Sequence, residues 1–175
     1  VGYSSYRKKP SFELAQVTQI YKAASMRVQP KCKHFGVCGG CSWGHLQYKA
    51  QVAWKGHILK ETLERLGRIE TKDVRFDSPA ESQPFNYRSR ARFHCADGRM
   101  GFYGAKSHEI VPIDACPLLD ARVNTAYALI QESQASTDMK LVESVEIGAG
   151  DDGPAAAVFY IHGPLKQFFG KALAK

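Results

Sequence analysis

The chain has 175 residues, 44% of them hydrophobic and 23% charged, with a formal net charge of +7. That length can bury one sizeable core, or a compact domain with appendages. No apolar run approaches the roughly 20 residues of a membrane span and no signal peptide is visible, which sets aside membrane-inserted and secreted classes and leaves a soluble, cytoplasmic protein. Val1 at one end and Gly170-Lys-Ala-Leu-Ala-Lys175 at the other read as cuts through a longer polypeptide. The basic excess lies wholly in the first 106 residues: positions 1–33 hold seven Lys or Arg against Glu13 alone, and 84–106 hold five against Asp97 alone. Such a concentrated positive face suits a polyanion, most often nucleic acid, against the plainer reading of a merely basic protein. Five cysteines, three of them in one tight loop, favour metal binding over disulfides and leave one thiol over.

In chain order, an aromatic and basic opening (Tyr3, Tyr6, Arg7, Lys8, Lys9) precedes an alternating stretch, Phe12 to Tyr21. There Ala15, Val17 and Tyr21 share a face, which predicts a strand. The cysteine loop follows. Next comes a helix over 47–66, with Tyr48, Val52, Leu59, Leu63 and Leu66 on one face and Trp54 and Ile58 as a further pair. Gly67 is placed to close it. Its apolar surface is wide enough to call for two neighbours.

Pro84 to Cys95 predicts a strand. Phe85, Tyr87, Ala91, Phe93 and Cys95 point one way, and Asn86, Arg88, Arg90, Arg92 and His94 the other. Asp97-Gly98 turns the chain into 99–103, and a third strand runs over 108–113. Pro117 suits the first position of a helix through Leu119, Val123, Ala126 and Ile130. Residues 141–147 and 156–162 form a second hairpin, and another helix starts beyond Pro164. The sum is an α+β fold, an antiparallel sheet with flanking helices.

Cys32, Cys38 and Cys41 stand at CX5CX2C spacing, with Gly39 and Gly40 permitting a tight turn that aims three thiolates at one point. Two residues compete for the fourth position. Cys95 falls on the apolar face of a strand and reads as a core thiol. Cys116 precedes the Pro117 helix, whose N-terminal N–H groups stabilise a thiolate, and is the better candidate. His34 is a possible ligand in principle. Four thiolates suit zinc or an iron–sulfur cluster. Three ligands bunched in one loop plus a distant fourth favour the [4Fe–4S] cluster, with zinc as the alternative. Arg88, Arg90 and Arg92 share a strand face at intervals of about 7 Å, which suits tracking the phosphates of an RNA strand; a solvated, salt-bridged face is the plainer reading. Tyr87, Lys31 and Lys33 complete the candidate RNA contacts.

The run from Val28 through Cys32, Cys38 and Cys41 to Lys55 resembles the cluster loop of the iron–sulfur-containing RNA uracil-5-methyltransferases. The likeness continues in order through Phe85-Asn-Tyr-Arg-Ser-Arg-Ala-Arg-Phe93, Gly101-Phe-Tyr103, Ser107-His-Glu-Ile-Val111 and Cys116-Pro-Leu-Leu119. Gly44, where Gln is common, and Gly104-Ala105, where basic residues are usual, depart from the family's pattern. The resemblance implies a three-part enzyme: an oligonucleotide-binding TRAM barrel, a cluster-bearing central domain and a methyltransferase domain. Residues 1–31 match the last strands of the barrel, 32–66 the cluster loop and linking helix, and 67–175 the central RNA-recognition domain.

The resemblance also implies a structural cluster on Cys32, Cys38, Cys41 and Cys116. It places S-adenosylmethionine, the nucleophilic cysteine and the general base in a C-terminal domain with no counterpart among these residues. The expected catalytic set of this chain is therefore empty, its helix over 47–66 is built to meet that missing domain in cis, and the chain alone is expected to be inactive. Its RNA is expected to be 23S ribosomal RNA, with transfer RNA possible. A zinc-stabilised nucleic-acid-binding module and a stand-alone electron carrier are the competing readings.

Overall fold

The computed structural model describes residues 1–133 and 139–162. Strands β1 (Gly2–Lys8) and β2 (Glu13–Gln19) form an antiparallel hairpin by themselves. The expected strand over 12–21 is β2. Its partner β1 goes unpredicted because its sequence, Gly-Tyr-Ser-Ser-Tyr-Arg-Lys, offers no apolar face, and the hairpin indeed buries none of its side chains.

Helix α1 (Tyr48–Arg65) follows the cysteine loop as the 3.6-residue period predicts. Its entry is tied down by the backbone: Val28 N–H donates to His45 O at 2.9 Å, and Gln47 N–H to Met26 O at 2.9 Å. At its exit the left-handed residue is Arg68 (φ 52), one beyond Gly67. The Ile69 N–H reaches back to Leu63 O at 3.1 Å. No residue of α1 is buried, and Trp54, Ile58, Leu59 and Leu66 are exposed.

The second sheet has five antiparallel strands in the order β5-β4-β3-β6-β7: β3 (Arg90–Ala96), β4 (Arg99–Tyr103), β5 (Ile110–Val111), β6 (Val142–Gly148) and β7 (Ala156–Ile161). Asp97 (φ 52) and Gly98 (φ 70) make the tight turn between β3 and β4. One sheet face is covered by α2 (Ala121–Ser133). There Phe93, Leu119, Val123, Tyr127, Val145 and Ile147 are wholly buried. Phe93 lies between Phe102 and Tyr127, at 4.9 and 4.3 Å between ring centroids. The Tyr127 hydroxyl donates to Met100 O at 2.9 Å and accepts from Gln131 Nε2 at 2.7 Å. Its burial pushes its pKa up to about 12.

Three expectations need correction. The strand over 84–95 starts only at Arg90. Asn86 takes a left-handed φ of 55, and the 86–88 backbone pairs with the 117–120 loop instead of the sheet: Asn86 N–H to Pro117 O at 3.0 Å, Arg88 N–H to Leu118 O at 2.9 Å. Helix α2 begins at Ala121 and not at Pro117, because Asp120 accepts from the Arg122 N–H at 2.8 Å and so caps it. The third strand shrinks to the two residues of β5. The helix expected beyond Pro164 lies outside the described residues.

Candidate metal centre and nucleic-acid interface

The cysteine loop is fastened to the end of β4 by backbone alone. Gly39 N–H donates to Tyr103 O at 2.9 Å, Ala105 N–H donates to Val37 O at 2.8 Å, and Cys38 bridges Gly104. A Cβ on Gly39 would sit 2.9 Å from Gly104 O and 3.1 Å from Tyr103 O, so only glycine permits this approach. Both departures from the family pattern lie at this loop and its seat. Gly104-Ala105 is the strip on which the loop lies, and a side chain at Gly44 would run into the Phe35 ring, 2.8 Å from its Cβ position.

The fourth cysteine is held by a different device. Cys116 is not at a helix N-terminus, as its distance from α2 shows. Its backbone is gripped at both ends by Asn124, whose Oδ1 accepts from Cys116 N–H at 2.9 Å and whose Nδ2 donates to Cys116 O at 3.0 Å. The Leu118 and Leu119 N–H groups of the same turn stabilise its thiolate. The electrostatic role expected of a long helix is thus filled by one turn of backbone.

All five cysteines are free thiols. Cys41 has its pKa raised by burial and then by the charges of Cys116, Cys38 and Cys32, with Arg88 pulling the other way. Cys116 is likewise raised, first by burial, and it too feels Cys32 and Cys38. Three cysteines of one loop and the distant Cys116 therefore share one neighbourhood, and all four are half-buried. Cys95 stands apart: burial alone pushes its thiol up to about 11, and it packs against the core.

Among the described residues, no group of three or more His, Cys, Asp or Glu is drawn close enough to hold a single metal ion directly. A lone zinc with Zn–S bonds of about 2.3 Å would need sulfurs packed within about 4 Å of one another. His34 takes no place in this set. Its Nε2 is buried 3.5 Å from the Asp114 carboxylate, which also pairs with Lys33. Lys33 first, and His34 after it, hold Asp114 below the usual carboxylate range. The pair joins the loop to the segment leading to Cys116.

A cleft of about 800 Å³ opens between the loop and α1. Cys32, Cys41 and Cys116 face it, together with Lys31, Tyr48 and Tyr87. Lys31 lies over the Phe85 ring, 4.2 Å from its centroid. Tyr87, expected to point inward, is exposed, because the 84–89 segment has left the sheet.

The three arginines do not form one uniform row. Arg90 and Arg92 both grip Glu146 of β6, Arg92 Nη2 at 2.9 Å. Arg88 Nε instead donates to Arg90 O at 3.1 Å, and its charge reaches Cys41. Glu146 opposes Arg92 directly in the sheet register, which no local sequence signal announces.

No family model matches the chain. Among curated proteins it is 35% identical over 158 residues to the 23S rRNA (uracil(1939)-C(5))-methyltransferase RlmD of Chromobacterium violaceum, covering 86% of this chain and 30% of that protein. It is 36% identical to RlmD of Nitrosospira multiformis, over 87% of this chain and 36% of that one. With Cupriavidus necator RlmD it shares 34% identity over 172 residues. This chain belongs to the RNA uracil-5-methyltransferase family. It spans about a third of the length of the curated relatives it matches. The fold agrees. Pyrococcus abyssi tRNA (uracil-54, C5)-methyltransferase, solved with S-adenosyl-L-homocysteine, superposes with a TM-score of 0.64 at 19% identity, over 93% of this chain and 38% of that family member.

Proposed function

We propose that this chain is the RNA-binding, [4Fe–4S]-carrying part of an S-adenosylmethionine-dependent RNA (uracil-C5-)methyltransferase acting on 23S ribosomal RNA. The observation that carries this reading is the shared neighbourhood of Cys32, Cys38, Cys41 and Cys116 within a chain homologous to RlmD proteins. The cluster, when bound, supplies a covalent tie between the loop and the Cys116 turn and takes no redox step. Around it, Asn124 and the Leu118 and Leu119 N–H groups orient Cys116. Gly39 lets the loop lie on β4, and Arg88 offsets the charge gathered at the thiolates. Residues 1–31 serve as the end of the TRAM barrel, and Arg88, Arg90, Arg92, Tyr87, Lys31 and Lys33 face RNA. The methyl donor site, the nucleophile and the base belong to the part of the enzyme that this chain does not span, so the chain alone transfers no methyl group.

The test is anaerobic reconstitution with ferrous iron and sulfide. A broad absorbance near 400 nm (about four irons per chain) is expected to vanish in Cys41→Ser and Cys116→Ser and to persist in Cys95→Ala. Uptake of one zinc and no iron–sulfur absorbance would convert the centre to a zinc site. Methylation of uridine by the chain alone would overturn the division of labour.

A further inference from the structure

The face of the five-stranded sheet opposite α2 carries chemistry that the arginines alone do not explain. The registers set Tyr160, Ser144, His94 and Gly101 in one row across the strands, and Val158, Glu146 and Arg92 in the next. His94 lies flat on Tyr103, ring centroids 3.8 Å apart and planes 14° from parallel, with His108 edge-on to Tyr103 at 5.0 Å. On the other flank, the Arg92 guanidinium sits over the Tyr160 ring, 4.5 Å from its centroid. Tyr103 is 36% and Tyr160 38% exposed. Ser144, 3% exposed, and Gly101, which share the His94 row, are buried beneath it, so the rings and guanidiniums form the outer surface.

Glu146 acts as a buttress. Only 12% exposed, it holds both Arg90 and Arg92, whose side chains remain 74% and 49% exposed. Held guanidinium planes lose less freedom on binding than free ones. An ordinary solvated strand face carries Thr, Lys and Glu; flat π surfaces beside fixed guanidiniums are what unpaired bases stack on.

We propose that this open sheet face binds a single-stranded stretch of RNA, with bases stacked on the Tyr160–Arg92 pair and on the Tyr103–His94 pair. The inference rests on the RNA-binding reading above. Charge selects the occupant: Arg90 and Arg92 outnumber Glu146 on this face, and Glu143 near the start of β6 is engaged by His162 at 3.5 Å. Three strand gaps of about 4.8 Å separate β7 from β4, which leaves room for about two splayed bases. A duplex keeps its bases stacked inside and cannot use the rings.

Anisotropy titrations of the full chain with a fluorescein-labelled single-stranded RNA of about twelve nucleotides, and with the duplex of the same sequence, test this. The single strand is expected to bind more tightly. Tyr160→Leu and Tyr103→Leu should each weaken it roughly tenfold without changing the salt slope. Tyr160→Phe and Tyr103→Phe should bind as the parent does, and Arg90→Ala should lower the salt slope. Melting curves report folding; should a leucine variant unfold, Arg92→Lys, which keeps the charge and loses the plane, is expected to weaken the single strand several-fold. Parent-like binding by folded leucine variants, or a duplex bound as tightly as the single strand, would overturn the proposal. Failure of the parent chain to bind any RNA would instead remove the RNA-binding reading on which it rests.

Discussion

The two halves of this chain are held together by different means. From Ala91 onward the sheet and α2 enclose a dry core in which Phe93, Leu119, Tyr127, Val145 and Ile147 have no exposure at all. Through the first ninety residues not one side chain is buried. That first half contains an 18-residue helix, a hairpin and the cysteine loop, and it lies on the second half mainly through backbone hydrogen bonds. A segment without a core of its own must draw stability from elsewhere, and polydentate metal ligation is the usual substitute in small loops. Under the proposed cluster-binding reading, the contrast gives the thiols a stabilising role that is independent of any chemistry performed on RNA.

The sharpest way to break the comparison is to remove one ring from each half. Phe93→Ala should cost about 3–5 kcal/mol in urea unfolding. Trp54→Ala, on the unburied α1, should change the same midpoint by about 0.5 kcal/mol at most. Equal effects would mean that the first half has a core after all. A smaller change is expected from Gly39→Ala, which presses a methyl group against Gly104 O and should cost about 1–3 kcal/mol. Its signature is local: faster trypsin cleavage at Lys31 and Lys33 while the sheet stays folded. Smallest is a pH effect confined to the second half. Burial holds the Cys95 thiol protonated up to about 11. Its folded value lies above the unfolded one, so its contribution is complete below the ordinary thiol range and drains away as pH rises toward 11. Alkaline melting curves of Cys95→Ala should be flatter over that window than those of the parent.

What could be read in the residues follows the same division. Helix α1 and both hairpins of the sheet were legible because period and turn chemistry are local: the spacing of Tyr48, Val52, Leu59 and Leu63, and Asp97-Gly98 at a tight turn. The place of Cys95 against the core was also legible, since it shares one strand face with Ala91 and Phe93. The helix start expected just after Cys116 was not, because Asp120 caps α2 and no signal in Cys-Pro-Leu excludes an earlier start. Residues 84–89 left the sheet through the left-handed Asn86 and a pairing with a loop some thirty residues away. The claim of Glu146 on two arginines depends on β3–β6 register. Neither is written in any window of sequence. The wide apolar surface of α1 was expected to call for two neighbours; in the structure none of its residues is buried.

One residue belongs to both halves at once. Tyr103 offers its carbonyl to the Gly39 N–H, and its ring is the floor on which His94 lies. Any change that draws Gly39 away from this strand end takes a hydrogen bond from the same residue whose ring stacks on His94. The loop's anchor and the proposed stacking surface meet in one residue.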